Sequence, residues 1–210
     1  GGLGAPLALY LASAGIGRIG LIDADRVALS NLPRQILYET ADIGRLKTEA
    51  TRDALQDRNP GVKLDLHSLR LDATNAESLL ADYDLVADGS DNFATRSAVN
   101  AACHKLGKTL VSAAVLGFGG QISTFKPHAG GPCYQCFLGD AELEDANCAA
   151  AGVLGPAAGM MACWQGVEII KELLGIGESL RGRILRIDAL TGRVRESKLA
   201  KDPVCRVCGV

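Results

Sequence analysis

Two cysteine pairs of identical spacing, Cys133-x-x-Cys136 and Cys205-x-x-Cys208, constrain the fold of this chain more than any other feature. A C-x-x-C pair holds one metal ion from a single tight turn, and two pairs complete the tetrahedral S₄ shell that suits Zn2+ (zinc). The second pair lies almost at the end of the sequence, so a shared ion would staple the tail back onto the body. Four thiolates leave no coordination position open for water, which makes the expected role structural. Redox dithiols and four unlinked buried thiols are the alternatives. A redox C-x-x-C commonly opens a helix near a βαβ pattern. Here Pro132 precedes one pair and Pro203 shortly precedes the other, which points to turns.

Metal-type spacing in four of the seven cysteines fits a reducing compartment, and no apolar run is long enough to span a bilayer. No signal peptide is recognisable, and a cytoplasmic protein is expected. The 22 Lys and Arg residues against 24 Asp and Glu leave no basic excess, which argues against nucleic acid as an obligatory partner. Nearly half the residues are hydrophobic but only 4% are aromatic, and 25 are glycine; this favours close helix-on-sheet packing over a β-sandwich.

The pattern along the chain alternates strand and helix. Gly1-Gly2-Leu3-Gly4 leads into an apolar helix in which Pro6 is tolerated in the first turn, and Arg18 to Ile22 then forms a short strand ending at Asp23. This is the second half of a dinucleotide-type βαβ unit, so a strand is expected ahead of Gly1, with the start of the glycine loop. A helix from Leu46 to Arg58 is stopped by Asn59-Pro60-Gly61, and a strand spans Val62 to Leu69. A short helix lies near Ala76 to Ala81, a strand at Leu85 to Asp88, a helix from about Asn92 to Leu106 and a strand at Thr109 to Ala113. Gly119 to Phe125 reads as an added antiparallel strand, and an acidic loop follows the first cysteine pair. A long apolar helix is expected over Gly152 to Leu174, then strands near Arg183 to Asp188 and Arg193 to Leu199. The expected fold is a single α/β domain over 1–210, with a Rossmann-like, doubly wound, mostly parallel sheet extended by antiparallel strands.

Several side chains in this frame suit an anionic ligand. Glycines ahead of a helix let phosphate oxygens approach backbone N–H groups at the positive end of the helix dipole, although an ordinary tight turn would look the same. Asp23 at a strand end can accept both ribose hydroxyls; capping or a plain surface charge is the alternative, and Asp25 is a second candidate. Ser30-Asn31-Leu32-Pro33-Arg34-Gln35 adds polar and cationic groups, and Lys47 sits at a helix start, where a cation is commonly just a solvated charge. Asp88-Gly89-Ser90-Asp91-Asn92 places acids at the C-terminal end of a parallel strand, the edge where open α/β sheets bind ligands. Asp91 could instead cap the following helix. Together the set fits a nucleoside triphosphate site without a Walker loop.

These segments resemble the ubiquitin-activating-type adenylyltransferases, in particular the MoeB/ThiF/HesA group: GGLG, LIDADRVALSNLPRQ, the lysine after Gly44, DGSDN, GPCYQC, NCAAAGVLGP, IDALTG and the terminal CRVC, in order along the whole chain. The resemblance implies ATP-dependent adenylylation of the C-terminal glycine of a ubiquitin-like sulfur-carrier protein, followed by thiocarboxylate formation with a sulfur donor in molybdopterin, thiamin or related biosynthesis. It implies that Gly2 lines the adenine nucleotide, Asp23 binds ribose, Asn31 and Arg34 face the phosphates, Lys47 grips the triphosphate, and Asp91 coordinates Mg2+. It assigns Cys133, Cys136, Cys205 and Cys208 to structural zinc and implies a homodimer. Cys148, at a position used for acyl or sulfur transfer in some branches, is either catalytic or an accessible idle thiol. Cys103 and Cys163 read as small core hydrophobes. Pro33 stands where the group has glutamine and removes one backbone donor from the phosphate segment. A zinc-stapled, non-catalytic relative and an NAD(P)-dependent oxidoreductase are the rival readings.

Overall fold

The computed structural model describes residues 1–139 and 152–209. Helix α1 (Gly4–Ser13) begins when the Ala5 N–H donates to the Gly1 carbonyl at 3.0 Å. It stops at Gly15, whose φ of 90° is open to glycine, and the Ile16 N–H closes the end on the Leu11 carbonyl. Two of its faces are buried. Leu7 and Leu11 join a core with Val111, Ile122 and Met161, while Ala8 and Ala12 pack on Leu55 and Val62.

Strands β1 (Arg18–Ile22) and β2 (Lys63–His67) pair in parallel, linked by α2 (Lys47–Arg58). After α3 (Ala76–Leu80), strand β3 (Leu85–Asp88) pairs in parallel with β4 (Thr109–Leu116) across α4 (Phe93–Lys105). Beyond β4 the pairing becomes antiparallel, in the order β4, β5 (Gly119–Phe125), β6 (Arg183–Asp188) and β7 (Arg193–Lys198). The expected antiparallel extension is therefore present, and parallel pairing of whole strands among the described residues is confined to β1–β2 and β3–β4.

The two sheets are separate, and β1 and β3 both line one cavity. Tyr83 bridges the gap. Its ring lies so close to Gly20 that a Cβ there would sit 2.5 Å from the ring, and its hydroxyl donates to Asp65 Oδ2 at 2.8 Å. Arg18 stacks 5.0 Å over the same ring and donates to the same carboxylate at 2.7 Å.

After α5 (Tyr134–Leu138), helix α6 (Gly155–Leu174) crosses α1, β4 and β5. It starts three residues later than the apolar pattern suggests, because Gly152 and Leu154 pair with Gly117 instead: the Gly117 N–H donates to the Gly152 carbonyl and the Leu154 N–H to the Gly117 carbonyl. Strand β4 runs three residues past its expected end because Ala114, Val115 and Leu116 stay in register with β5, opposite Gln121, Gly120 and Gly119 respectively. Cys103 is buried, and burial pushes its thiol up to about 12, as a core residue requires. Cys163 is not a core residue: it faces outward on α6 beside Trp164, and both are exposed.

Candidate nucleotide site and metal centre

The expected nucleotide residues come from three loops and the start of α2, which converge on one cavity of about 1570 Å³ that Gly2, Asp23, Asn31, Arg34, Lys47 and Asp91 all line. Their separation in sequence is bridged by tight backbone approaches. A Cβ on Gly2 would lie 3.6 Å from the Arg34 side chain, so the aliphatic stem of Arg34 covers the glycine loop. A Cβ on Gly89 would come within 2.9 Å of Leu3, and one on Gly155 would strike the Pro33 carbonyl. Only glycine allows the loop after β3 and the start of α6 to come this near.

Each polar side chain is held in a distinct way. Asp23 accepts the Asp25 N–H on Oδ1 at 2.9 Å and lies 3.3 Å from the Gly1 nitrogen through Oδ2. Asn31 ends a 3₁₀ turn (Leu29–Asn31), and its carbonyl accepts the Arg34 and Gln35 N–H groups. Arg34 then donates from Nη1 to the Ser30 carbonyl at 2.9 Å. Lys47 opens α2, where the helix dipole disfavours a cation, yet its side chain is only 6% exposed. The compensation is an ion pair with Asp25 at 2.7 Å, with Asp23 at 3.9 Å. Lys47, donating to the carboxylate, is the main reason Asp25 is held below the usual carboxylate range, against the opposing pull of its partial burial. Lys47 is thus no free surface charge, and Asp25 is its partner.

The two acids after β3 divide their work. Asp88 is buried and committed to structure, accepting the Ser90 N–H and the Ser112 hydroxyl. Asn92 caps α4, its Oδ1 accepting the Thr95 N–H at 2.8 Å, so the cap does not fall to Asp91. Asp91 is exposed at the cavity, where the Asn92 amide approaches it at 3.4 Å. An oxygen donor so placed suits a hard cation such as Mg2+.

The four cysteines of the paired motifs meet at one point. Their sulfurs all lie within 4.8 Å of one another, with 4.0 Å between Cys133 and Cys136, 3.7 Å between Cys133 and Cys205, and 3.5 Å between Cys136 and Cys208. Tetrahedral zinc with Zn–S bonds of about 2.3 Å requires sulfurs about 3.8 Å apart, so the residues fit that ion. Burial opposes ionisation of Cys205, but the N–H groups of Cys208 and Val207 together with the thiols of Cys133 and Cys136 outweigh it and bring this thiol down to about 7, while Cys133 and Cys208 are pushed up, chiefly by burial. The Asn100 amide points at Cys133 Sγ (3.6 Å) and the Asp202 N–H at Cys136 Sγ (3.4 Å), a shell that orients ligands. The first pair differs in one respect from expectation: Cys133 precedes α5 and Cys136 lies inside it, so that pair opens a short helix rather than sitting in a plain turn. Cys148 and the acidic loop lie outside the described residues.

Three buried polar residues escaped the motif reading. Arg96 donates to the carbonyls of Ser90 and, at 3.4 Å, Ala113; Gln165 donates to those of Asp88 and Val111, both at 2.9 Å. Glu168 accepts the Thr124 hydroxyl and the Leu180 N–H and pairs with Lys171. Arg96 and Gln165 fix the strand end that carries Asp91. Their signal in the sequence is a polar residue on the apolar face of a helix, which periodicity alone does not interpret.

The ThiF family model matches residues 1–207. The sulfur carrier protein adenylyltransferase of Thermus thermophilus is 43% identical over the whole chain, which covers 79% of that relative. The molybdopterin-synthase adenylyltransferase of Escherichia coli is 42% identical over the whole chain, covering 84% of it. The Zea mays adenylyltransferase and sulfurtransferase MOCS3-1 is also 42% identical, but this chain spans only 45% of its length. Among solved structures, E. coli MccB with ATP matches the whole chain at a TM-score of 0.86 and 25% identity, over 64% of the MccB chain. With its motifs in order and its glycine loop, paired acids and cysteine cluster assembled as described, this chain belongs to the ThiF family.

Proposed function

We propose that the protein uses ATP to adenylylate the C-terminal glycine carboxylate of a ubiquitin-like sulfur-carrier protein. The observation that carries this reading is the convergence of Gly2, Asp23, Asn31, Arg34, Lys47 and Asp91 on one cavity. The names of two bacterial relatives, at 43% and 42% identity, support the same activity. A C-terminal carboxylate is already ionised at neutral pH and needs no general base. One of its oxygens bonds to the α-phosphorus of ATP, the bond to the β-phosphate oxygen breaks, and pyrophosphate leaves. The obstacle is bringing an anion to a polyanion, and fixed positive charge lowers it.

In this reading Asp23 accepts the ribose hydroxyls, Asn31 and Arg34 face the phosphates, and Lys47 grips the triphosphate. Asp91 would hold Mg2+, which supplies further charge neutralisation at the phosphates, and the four paired cysteines would hold Zn2+ as a staple. The outer sulfur of a persulfide-carrying donor protein would then attack the acyl carbon and expel AMP, leaving an acyl disulfide; a second thiol attacking the donor's own sulfur would release the thiocarboxylate and leave a disulfide on the donor. We place the reaction in the cytoplasm, where thiolate ligands stay reduced, and in a homodimer. Among the described residues no helix is long and apolar enough to cross a membrane.

The test is exchange of labelled pyrophosphate into ATP, dependent on a carrier ending in Gly-Gly. Asp91→Ala should lower exchange about 10²–10³-fold while carrier binding persists. Carrier binding without exchange by the wild-type protein would favour the non-catalytic relative. Unchanged exchange in Asp91→Ala would refute the magnesium assignment.

A further inference from the structure

We propose that Asp25 is a positioning residue that holds the Lys47 ammonium aside from Asp23, leaving the Asp23 carboxylate open to a ribose diol. The inference rests on the nucleotide reading above. Two acids flank one cation, and they differ sharply: Lys47 Nζ lies 2.7 Å from Asp25 Oδ2 but 3.9 Å from Asp23 Oδ2. The Lys47 side chain is 6% exposed, whereas Asp25 is 70% exposed and Asp23 is 25% exposed. A nearly buried ammonium requires a counter-charge. The partner it takes is the outer carboxylate, not the inner one beside the glycine loop.

The backbone enforces that choice. The Lys47 N–H donates to the Asp25 carbonyl at 3.0 Å, which fixes the start of α2 against residue 25. The Asp25 N–H donates to Asp23 Oδ1 at 2.9 Å, which turns the inner carboxylate. The Gly1 nitrogen lies 3.3 Å from Asp23 Oδ2. A carboxylate has about four acceptor positions and the Asp25 N–H takes one, so Asp23 keeps room for a pair of hydroxyls beside the Gly1 nitrogen. The ammonium has three N–H donors, so Lys47 keeps Asp25 on one while it serves the triphosphate with another. Without the Asp25 charge, Asp23 is the nearest remaining carboxylate to Lys47 among the described residues. Closure of roughly 1 Å would make a full ion pair with it, at normal charge-assisted distance, and would take an acceptor position from the diol.

The consequence is specific to the sugar. Asp25→Asn also removes a negative charge near the triphosphate, which shifts the affinity of every adenine nucleotide alike. The ratio of affinities for ATP and 2′,3′-dideoxy-ATP cancels that shift and reports the diol alone. Calorimetry on the wild-type protein should show ATP preferred by about tenfold or more, the size of a hydrogen bond to a charged group. Asp25→Asn should reduce that preference several-fold, and Asp25→Glu, which retains the carboxylate, should restore it. Loss of affinity for both nucleotides by the same factor, or an unchanged ratio, would overturn the proposal while leaving the nucleotide site standing. A wild-type protein that binds neither nucleotide, or does not distinguish them, would overturn the ribose assignment and this inference together.

Discussion

Arg34 illustrates how much one side chain in the site depends on its neighbours. Its stem lies over Gly2, its guanidinium is anchored on the Ser30 carbonyl, and the Pro33 carbonyl beside it touches the start of α6. Pro33 removes a donor from this segment, but the turn is closed by the N–H groups of Arg34 and Gln35 on the Asn31 carbonyl, so its shape survives. Arg34→Ala should cut pyrophosphate exchange by about 10²–10³-fold with little change in melting temperature, since the residue supplies positive charge more than packing. A comparable loss of thermal stability would show that its role is to hold the loop. Residue types and order made Asp23, Arg34 and Asp91 legible in the sequence. The pairing of Lys47 with Asp25 was not legible, because a cation at a helix start reads as a solvated charge until its burial is known.

At the scale of elements, α6 is held to the antiparallel strands by buried ionic groups. Lys126, just beyond β5, pairs with Glu172 at 2.6 Å, and Glu168 receives Thr124 and Leu180 one turn earlier. Burial works against the Glu172 carboxylate, but hydrogen bonds from Lys126 and Ser179 prevail and hold it below the usual range. A depressed carboxylate contributes stability that is present above its unfolded pKa, about 4.3, and is lost as pH falls through the lower folded value. The stability gap between wild type and Glu172→Gln should therefore be larger at pH 7 than at pH 3, as urea unfolding at the two pH values would reveal. An equal gap would place the effect in packing alone. Element types were readable from periodicity, but the end of β4 and the start of α6 were not: the first follows its register with β5, and the second the bonds that join Gly117 to the distant Gly152 and Leu154.

For the whole molecule, the cysteine cluster joins the chain after β7 to the segment between β5 and α6. Residues 199–209 contain no strand or α-helix, and only Cys205 and Cys208 among them are buried, so a metal would supply much of what holds them. Gently purified protein should contain about one zinc per chain. Cys205→Ser with Cys208→Ser should abolish it and lower the melting temperature by several degrees, and a chelator should do the same to the wild type. Metal analysis that finds no zinc in undisturbed protein would remove the staple from this account.

The sequence by itself determined the family, the alternation of strands and helices, the antiparallel extension and the matched spacing of the two cysteine pairs, because local periodicity and fixed spacing encode those features in neighbouring residues. Only the tertiary structure decided that Asp88 serves the backbone while Asp91 faces the cavity, that Asn92 is the cap, that Cys163 is outside, and that Asp25 holds Lys47. Each of those outcomes depends on burial and on partners that local pattern does not specify. A carboxylate has the same composition in a core, a turn or a binding site, and its surroundings decide which of the three it serves.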